Sequence, residues 1–181
     1  MHKIKFLTIA IKDYRVAAFA PTSGHVIRRI VGEITPRDMR IVEYGAGDGV
    51  ITKEILKTLS PAGTLIAVEL NKEFASELRN IRDPRLRIIN DDVSVVSGKL
   101  CKTDFPSIDV VVSGIPFSYL SPAKRNQIVE NTHRALCERG RFIVDQHSLF
   151  MLPILRKTFR AVSWRFEPRN FPPHFTMIAE K

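Results

Sequence analysis

No stretch of the 181-residue chain comes near the ~18 consecutive apolar residues that a membrane-crossing helix requires, so a spanning helix is excluded. The N-terminus also lacks a long apolar run ending in small residues at a cleavage position, and the sequence therefore predicts a cytoplasmic protein. Cysteine is scarce. Cys101 and Cys137 stand far apart with neither a CxxC nor a Cys/His ligand spacing, which argues against structural zinc and redox chemistry and predicts two reduced, partly buried thiols. Compositional bias is absent as well: 44% apolar and 26% charged residues exclude collagen, disorder and a disulfide scaffold, and describe one globular domain with at most a short appendage. Acidic side chains are outnumbered, 19 against 28 basic ones, and the resulting charge of +9 draws the protein toward polyanions, either nucleic acid or an acidic membrane leaflet. The excess is concentrated early, with eight basic and three acidic residues in positions 1–40.

What is present is an alternation. From Arg40 onward, short runs rich in Val, Ile and Leu alternate with helical stretches, the signature of a parallel α/β sheet. Strands are expected at Arg40–Tyr44, Thr64–Glu69, Leu86–Asn90, Asp109–Ser113 and Arg141–Asp145, each nearly continuous in apolar residues as strands covered on both faces are. Helical spacing marks Val50–Leu59, Lys72–Ile81 and Pro122–Leu136, and a further helix is expected around Ser148–Thr158. Two closing β-like runs, Ala161–Phe166 and Phe175–Ala179, flank Pro172-Pro173 and read as an antiparallel hairpin at a sheet edge. Ahead of the sheet, Gly24–Ile34 reads as a helix capped by Ser23 or Thr22, with Val26, Ile30 and Val31 inward. Lys3–Ala10 is a short amphipathic helix with Ile4, Leu7 and Ile11 on one face and Lys3, Lys5 and Lys12 at the rim. It reads equally as an interfacial anchor and as a terminal helix packed on its own domain.

The most informative segment is Arg40-Ile-Val-Glu-Tyr-Gly-Ala-Gly-Asp-Gly-Val, a strand running into three alternate glycines and then a helix. Glycine is needed where the chain turns sharply and a ligand must approach the backbone, and ligands of open α/β sheets bind beyond the carboxyl ends of strands. The dinucleotide spacing G-x-G-x-x-G would place its third glycine at position 50, which is Val50. The spacing found, Glu43-x-Gly45-x-Gly47-x-Gly49, instead resembles the first motif of class I S-adenosylmethionine-dependent methyltransferases.

That resemblance implies an α/β, Rossmann-like fold. Its sheet is seven-stranded and mostly parallel, with an antiparallel C-terminal hairpin and helices on both faces. It implies S-adenosylmethionine as cofactor, S-adenosylhomocysteine as product, and no metal. It assigns cofactor contacts to Glu43 near the methionine end, to Gly45, Ala46, Gly47 and Gly49 in the loop, and to Glu69 with Leu70 at the ribose. Asp92 with Val93 would meet the adenine, with Asp91 one residue off, and Ser113 would close the site at the fourth strand end. A carboxylate suits the ribose because it offers two acceptors to two vicinal hydroxyls.

The acceptor side is carried by Ser113-Gly114-Ile115-Pro116-Phe117, which echoes the Asn-Pro-Pro-Tyr signature of adenine-N6 methyltransferases. Gly114 stands where those enzymes hold the amine with an asparagine. The segment more closely resembles bacterial phospholipid N-methyltransferases, which convert phosphatidylethanolamine to phosphatidylcholine. So do Asp13-Tyr-Arg-Val-Ala-Ala-Phe-Ala-Pro-Thr-Ser-Gly and Asn170-Phe-Pro-Pro-His-Phe. This likeness implies substrate contacts at Tyr14, Phe19, Thr22, Ser23, Gly114, Ile115, Pro116 and Arg169, with Arg15 another donor for a lipid phosphate. An amine must lose its proton before it accepts a methyl group; Tyr119, His147 and His174 are the candidate acceptors of that proton. Tyr14, Phe19, Phe117, Tyr119, Phe171 and Phe175 are candidates for an aromatic cage around a methylated cation.

The expected organisation is therefore an N-terminal amphipathic and lid region, 1–38, followed by a cofactor-binding domain, 39–181. Three functions compete: a phospholipid N-methyltransferase resting peripherally on the anionic inner face of the membrane, an rRNA adenine dimethyltransferase-like enzyme, and a non-catalytic relative. The acids at Glu43, Glu69 and Asp92 argue against the last, and Gly114 makes nucleic acid the weaker substrate.

Overall fold

The computed structural model describes residues 23–100, 107–170 and 172–181. Lys3–Ala10, Tyr14, Phe19, Thr22, Cys101 and Phe171 lie outside them. Seven strands form one sheet in the order β3-β2-β1-β4-β5-β7-β6. They are β1 (Arg40–Tyr44), β2 (Thr64–Val68), β3 (Leu86–Ile89), β4 (Ile108–Ser113), β5 (Leu136–Gln146), β6 (Ala161–Glu167) and β7 (His174–Glu180). The first five run parallel, and β7 enters antiparallel between β5 and β6, so the closing hairpin sits at the sheet edge as its sequence indicates. The order in which strands are added reverses between β1 and β4, the switch point at which open α/β sheets bind ligands.

Helices cover both faces. Val42, Tyr44, Val111, Phe142 and Val144 point to one side. There they meet α4 (Val93–Leu100), α5 (Pro122–Ala135) and α6 (Leu152–Thr158). Ile41, Leu65, Val110, Val112 and Ile143 point to the other, against α1 (Gly24–Val31) and α2 (Val50–Thr58). A smaller cluster of Ala46, Ala67 and Leu78 seats α3 (Lys72–Leu78) beneath the glycine loop. The alternation of strand side chains between faces produces this division directly. At the centre Phe142 meets Tyr44 and Phe117 edge-on, with ring centroids 6.3 and 6.4 Å apart, and lies 6.1 Å from Phe159.

Three elements depart from the sequence reading. The α4 helix is absent from it because Val-Ser-Val-Val-Ser-Gly is β-branched and small; it forms because Asp92 accepts the Ser94 N–H at 2.8 Å and caps the first turn. Strand β5 begins at Leu136 rather than Arg141. Arg139, at φ 64°, and Gly140 form an irregularity where the register with β4 shifts, and Glu138 and Arg139 hide the apolar pattern. The stretch after β5 is a 3-10 turn, Leu149–Met151, followed by a short helix, since Pro153 is tolerated only in a first turn. Ahead of β1, Arg141 donates to both Asp38 oxygens at 2.6 Å and to the Glu33 carbonyl, fastening the α1–β1 connection to β5.

Phe142→Ala should therefore cost about 3–5 kcal/mol, the usual range for removing a fully buried ring, read as a shift in the urea unfolding midpoint. A change below about 1 kcal/mol would show that the three rings collapse onto the vacancy.

Candidate functional site

The loop after β1 is held from behind. Gly45 and Ala46 donate their N–H groups to the Val68 carbonyl at 2.8 and 3.3 Å, and Gly47 donates to Glu69 Oε2 at 2.8 Å. All three glycines have positive φ, 76°, 54° and 76°. A side chain at Gly45 would come within 2.8 Å of Ile115 Cγ2, and one at Gly49 within 2.8 Å of Leu78 Cδ2, so both positions are closed by packing. A Cβ at Gly47 would meet nothing within 4 Å. The loop thus turns tightly against protein on two sides and presents bare backbone on a third, a cradle that fits the cofactor expected from the glycine spacing.

The acids occupy three distinct environments. Glu43 is buried under the loop and accepts a 2.6 Å hydrogen bond from Thr52 Oγ1 of α2. Burial pushes its pKa up to about 8 against the pull of that bond, and the nearby charges of Glu69 and Asp48 add to the rise. Glu69, at the end of β2, takes N–H bonds from Gly47 and Asn71, each at 2.8 Å. Burial raises its pKa, and these backbone donors work against the rise. Asp92 is partly exposed: Oδ1 accepts from Ser94 N and Oγ, and Oδ2 accepts from Lys124 Nζ at 2.7 Å. Burial would raise its pKa, but Lys124 and Ser94 outweigh that and lower it. Asp91 pairs instead with Lys99 at 3.3 Å. Leu70 is exposed beside Glu69, and Val93 is buried in the first turn of α4. Asn90, which sequence reasoning missed, donates to the Glu69 and Leu70 carbonyls at 2.8 and 3.1 Å and joins the second and third strand ends.

The fourth strand ends at Ser113, whose buried hydroxyl has no partner among the described residues. Gly114 follows, with only the Gly45 carbonyl, at 3.9 Å, near the position of a Cβ. The Ile115 carbonyl accepts from Gln146 Nε2 at 2.9 Å, so the acceptor loop is tied to the end of β5. Pro116 starts a 3-10 turn in which Tyr119 is exposed.

Phe117 is different from its sequence reading. It is wholly buried against Phe142 and supports the loop from within the core, so it does not line the open site. Phe175 likewise stacks on Phe166 and Trp164 of the edge hairpin, at 5.0 and 5.9 Å. Arg169 is not a free phosphate donor: its Nε and NH2 grip Glu167 at 2.7 and 2.8 Å, and Arg29 of α1 joins at 2.9 Å. These guanidiniums hold the Glu167 carboxyl far below the usual carboxylate range.

The Asn170 motif does meet Ser23. Asn170 Oδ1 accepts the Ser23 N–H at 3.0 Å, and Ser23 Oγ in turn accepts from Val26 N at 3.4 Å as the cap of α1. At the same end of the sheet His174 Nδ1 bonds Asp145 Oδ2, Thr176 Oγ1 donates to Asp145 Oδ1 at 2.9 Å, and the exposed His147 ring packs edge-on to His174 at 4.2 Å. Asp145 carries no motif of its own; only the β5–β7 register brings it to Thr176 and His174, which share one face of β7.

Comparison with known proteins agrees with this geometry. The family described as "Methyltransferase domain" matches residues 42–142. The chain is 30% identical over 163 residues to an ornithine lipid N-methyltransferase of Singulisphaera acidiphila, covering 87% of this chain and 84% of that one. It is 34% identical over 104 residues to a mitochondrial ribosomal RNA small subunit methyltransferase of Arabidopsis thaliana, covering 56% of this chain but 26% of that one. Among solved structures, a didemethyltoxoflavin N1-methyltransferase of Burkholderia thailandensis, determined with S-adenosylhomocysteine, superposes with a TM-score of 0.67 at 16% identity over 87% of this chain and 75% of that one.

The buried acids give folding a definite pH dependence. Because the folded pKa of Glu43 lies above its ordinary 4.5, folding takes up a proton between about pH 4.5 and 8; this contribution to stability is complete at the acid end and is lost as pH rises through 8. The shift at Glu69 acts in the same direction. Glu43→Gln should flatten the fall of unfolding free energy between about pH 5.5 and 7.5 by up to about 1.4 kcal/mol per pH unit, measured by urea titration at each pH. An unaltered slope would mean that Glu43 folds as its anion.

Proposed function

The chain belongs to the methyltransferase domain family, S-adenosylmethionine-dependent enzymes of class I fold, and from that membership we propose that its acceptor is the amine of a membrane-lipid headgroup. One observation carries the reading: likeness to the ornithine lipid enzyme runs through most of both chains, whereas the Arabidopsis ribosomal RNA enzyme is matched over a quarter of its length. The acceptor loop supports it, because Gly114 offers no side-chain carbonyl for an adenine amine. Phosphatidylethanolamine and its mono- and dimethyl derivatives are the proposed series, leading toward phosphatidylcholine; ornithine shares the terminal amine.

In this reading Glu69 and Leu70 hold the ribose, Asp92 and Val93 the adenine, and Glu43, the Gly45–Gly49 loop and Ser113 the methionine end. The bound cofactor supplies a methyl group on cationic sulfur. The chain must present a neutral amine in line with that group, exclude water and accept one proton. Gly114, Ile115 and Pro116 form the wall nearest the amine, with Tyr119 at the rim. Ser23 and the start of α1 close the site through Asn170.

None of the described helices is long and apolar enough to cross a membrane. In this proposal the part of residues 1–38 that precedes the packed α1 helix supplies the lid and the peripheral contact with an anionic cytoplasmic leaflet, and Tyr14, Phe19 and Thr22 are the proposed headgroup-binding residues.

Two measurements test this. Incubation with methyl-labelled cofactor should put label into phosphatidylethanolamine or ornithine-lipid liposomes and leave ribosomal RNA unlabelled; label in the RNA alone would transfer the assignment to the adenine-N6 class. Removing residues 1–12 should abolish co-sedimentation with anionic liposomes while cofactor affinity, read by calorimetry, stays within about twofold. Undiminished sedimentation of the shortened protein would exclude the anchor.

A further inference from the structure

Strand β5 leaves the sheet beside the acceptor loop, and its last buried residue is Asp145. Both carboxylate oxygens are taken from β7: Oδ2 by His174 Nδ1 and Oδ1 by Thr176 Oγ1 at 2.9 Å. Asp145 and Thr176 are direct register partners, so the sheet itself aligns the group. An ionised carboxylate only accepts, so Nδ1 must carry the hydrogen, and the lone pair of the neutral ring is then on Nε2. That Nε2 is buried and has no hydrogen-bond partner among the described residues. It is one of four buried side-chain nitrogen or oxygen atoms without a partner among the described residues, and an unsatisfied buried polar atom costs what its hydration was worth, so a ligand that could pair with it would recover that cost. Two further observations set the cluster next to the strand end that holds the acceptor loop. Gln146, the next residue after Asp145, donates to the Ile115 carbonyl of the acceptor loop, and His147 packs edge-on to His174.

We propose that His174 Nε2 is the proton acceptor for the amine substrate, with Asp145 as the positioning residue that fixes its tautomer and stabilises the imidazolium, and Thr176 holding Asp145; this rests on the amine-acceptor reading above. An aliphatic ammonium with a pKa near ~10.4 has no free lone pair at neutral pH and cannot attack. Its proton passes to Nε2. The freed nitrogen pair forms the new N–C bond as the C–S bond breaks with its electrons left on sulfur, and His174 returns the proton to water. The methylated amine is again cationic, so charge balances, and each further round on a mono- or dimethyl substrate except the last product repeats the same proton removal. Among the described residues, the charged and titratable groups that meet His174 or its strand neighbours are Asp145 on β5, His147 beyond it, and Glu167 opposite it on β6 with Arg29 and Arg169 bound to that carboxylate. Since Glu167 is already ion-paired, Asp145 is the carboxylate that bonds the ring.

The test compares the full-length protein with His174→Gln and Asp145→Asn, using whichever lipid amine the wild type methylates. At pH 7, His174→Gln should lower kcat by about 10²–10⁴-fold with KM little changed, and the deficit should shrink roughly tenfold per pH unit toward the pKa of the amine, as solution deprotonation replaces the base. Asp145→Asn should lower kcat in the same pH-dependent way. Independently of activity, nitrogen NMR of the cofactor-free wild type should show His174 protonated on Nδ1 and bare on Nε2, and Asp145→Asn should disturb that tautomer. Wild-type kcat and pH profile in His174→Gln would overturn the proposal, as would a wild-type ring carrying its hydrogen on Nε2. If a variant melts early, the wild-type tautomer decides. A wild type that labels no lipid amine would instead defeat the acceptor reading, with the NMR result still reporting on the ring.

Discussion

A single hydrogen bond organises this molecule: the Gly47 N–H lying 2.8 Å from Glu69 Oε2. It joins the loop after β1 to the end of β2, and so connects the bare backbone of the glycine loop to the carboxylate proposed to hold the ribose. Most other features of the site follow from keeping that contact in place. Gly45 and Ala46 fasten the loop to Val68, Asn71 holds the second Glu69 oxygen, and Asn90 ties the same strand end to β3. Beneath, Glu43 and Thr52 bind the loop's two flanks, β1 and α2, to each other. The carboxylate is therefore oriented before any ligand arrives, which is what makes a charged hydrogen bond effective in a dry site.

The sheet was legible because its strands are buried on both faces and so are written as unbroken Val and Ile runs, as at Asp109-Val-Val-Val-Ser. The glycine loop was legible for a related reason: three alternate positions at positive φ, two of them with side chains packed where a Cβ would go, favour glycine strongly over any other residue. Helix α4 was not, because its residues favour a strand and its cap, Asp92, reads equally well as a ligand. In the structure Asp92 is bound to Ser94 and Lys124, so the helix cap and the expected adenine position coincide in one residue.

Side-chain roles were harder to read than elements. Phe117 and Arg169 both occupy positions where the motif suggests contact with substrate, yet one is absorbed by the Phe142 cluster and the other by Glu167. Phe142 is far from Phe117 in the chain, and although Glu167 stands only two residues before Arg169, its burial and its second partner, Arg29 of α1, come from packing that no local pattern announces. The converse holds for Asp145, which is separated from His174 by 29 positions and meets it only because β7 inserts antiparallel next to β5. Long-range pairing created the polar cluster, and long-range pairing is the information a single sequence conceals best.

The surplus of positive charge does not by itself separate lipid from RNA, since both are polyanionic surfaces. In the proposed function discrimination falls to the short loop after β4, and that loop is not autonomous. The absent side chain of Gly45 is replaced in space by Ile115, whose Cγ2 lies 2.8 Å from where a Cβ would be. Donor and acceptor halves of the enzyme consequently share one van der Waals boundary. Any attempt to retune acceptor choice by reshaping position 115 will also move the wall on which the nucleoside loop leans, so selectivity and cofactor affinity are expected to drift together rather than evolve as separable traits.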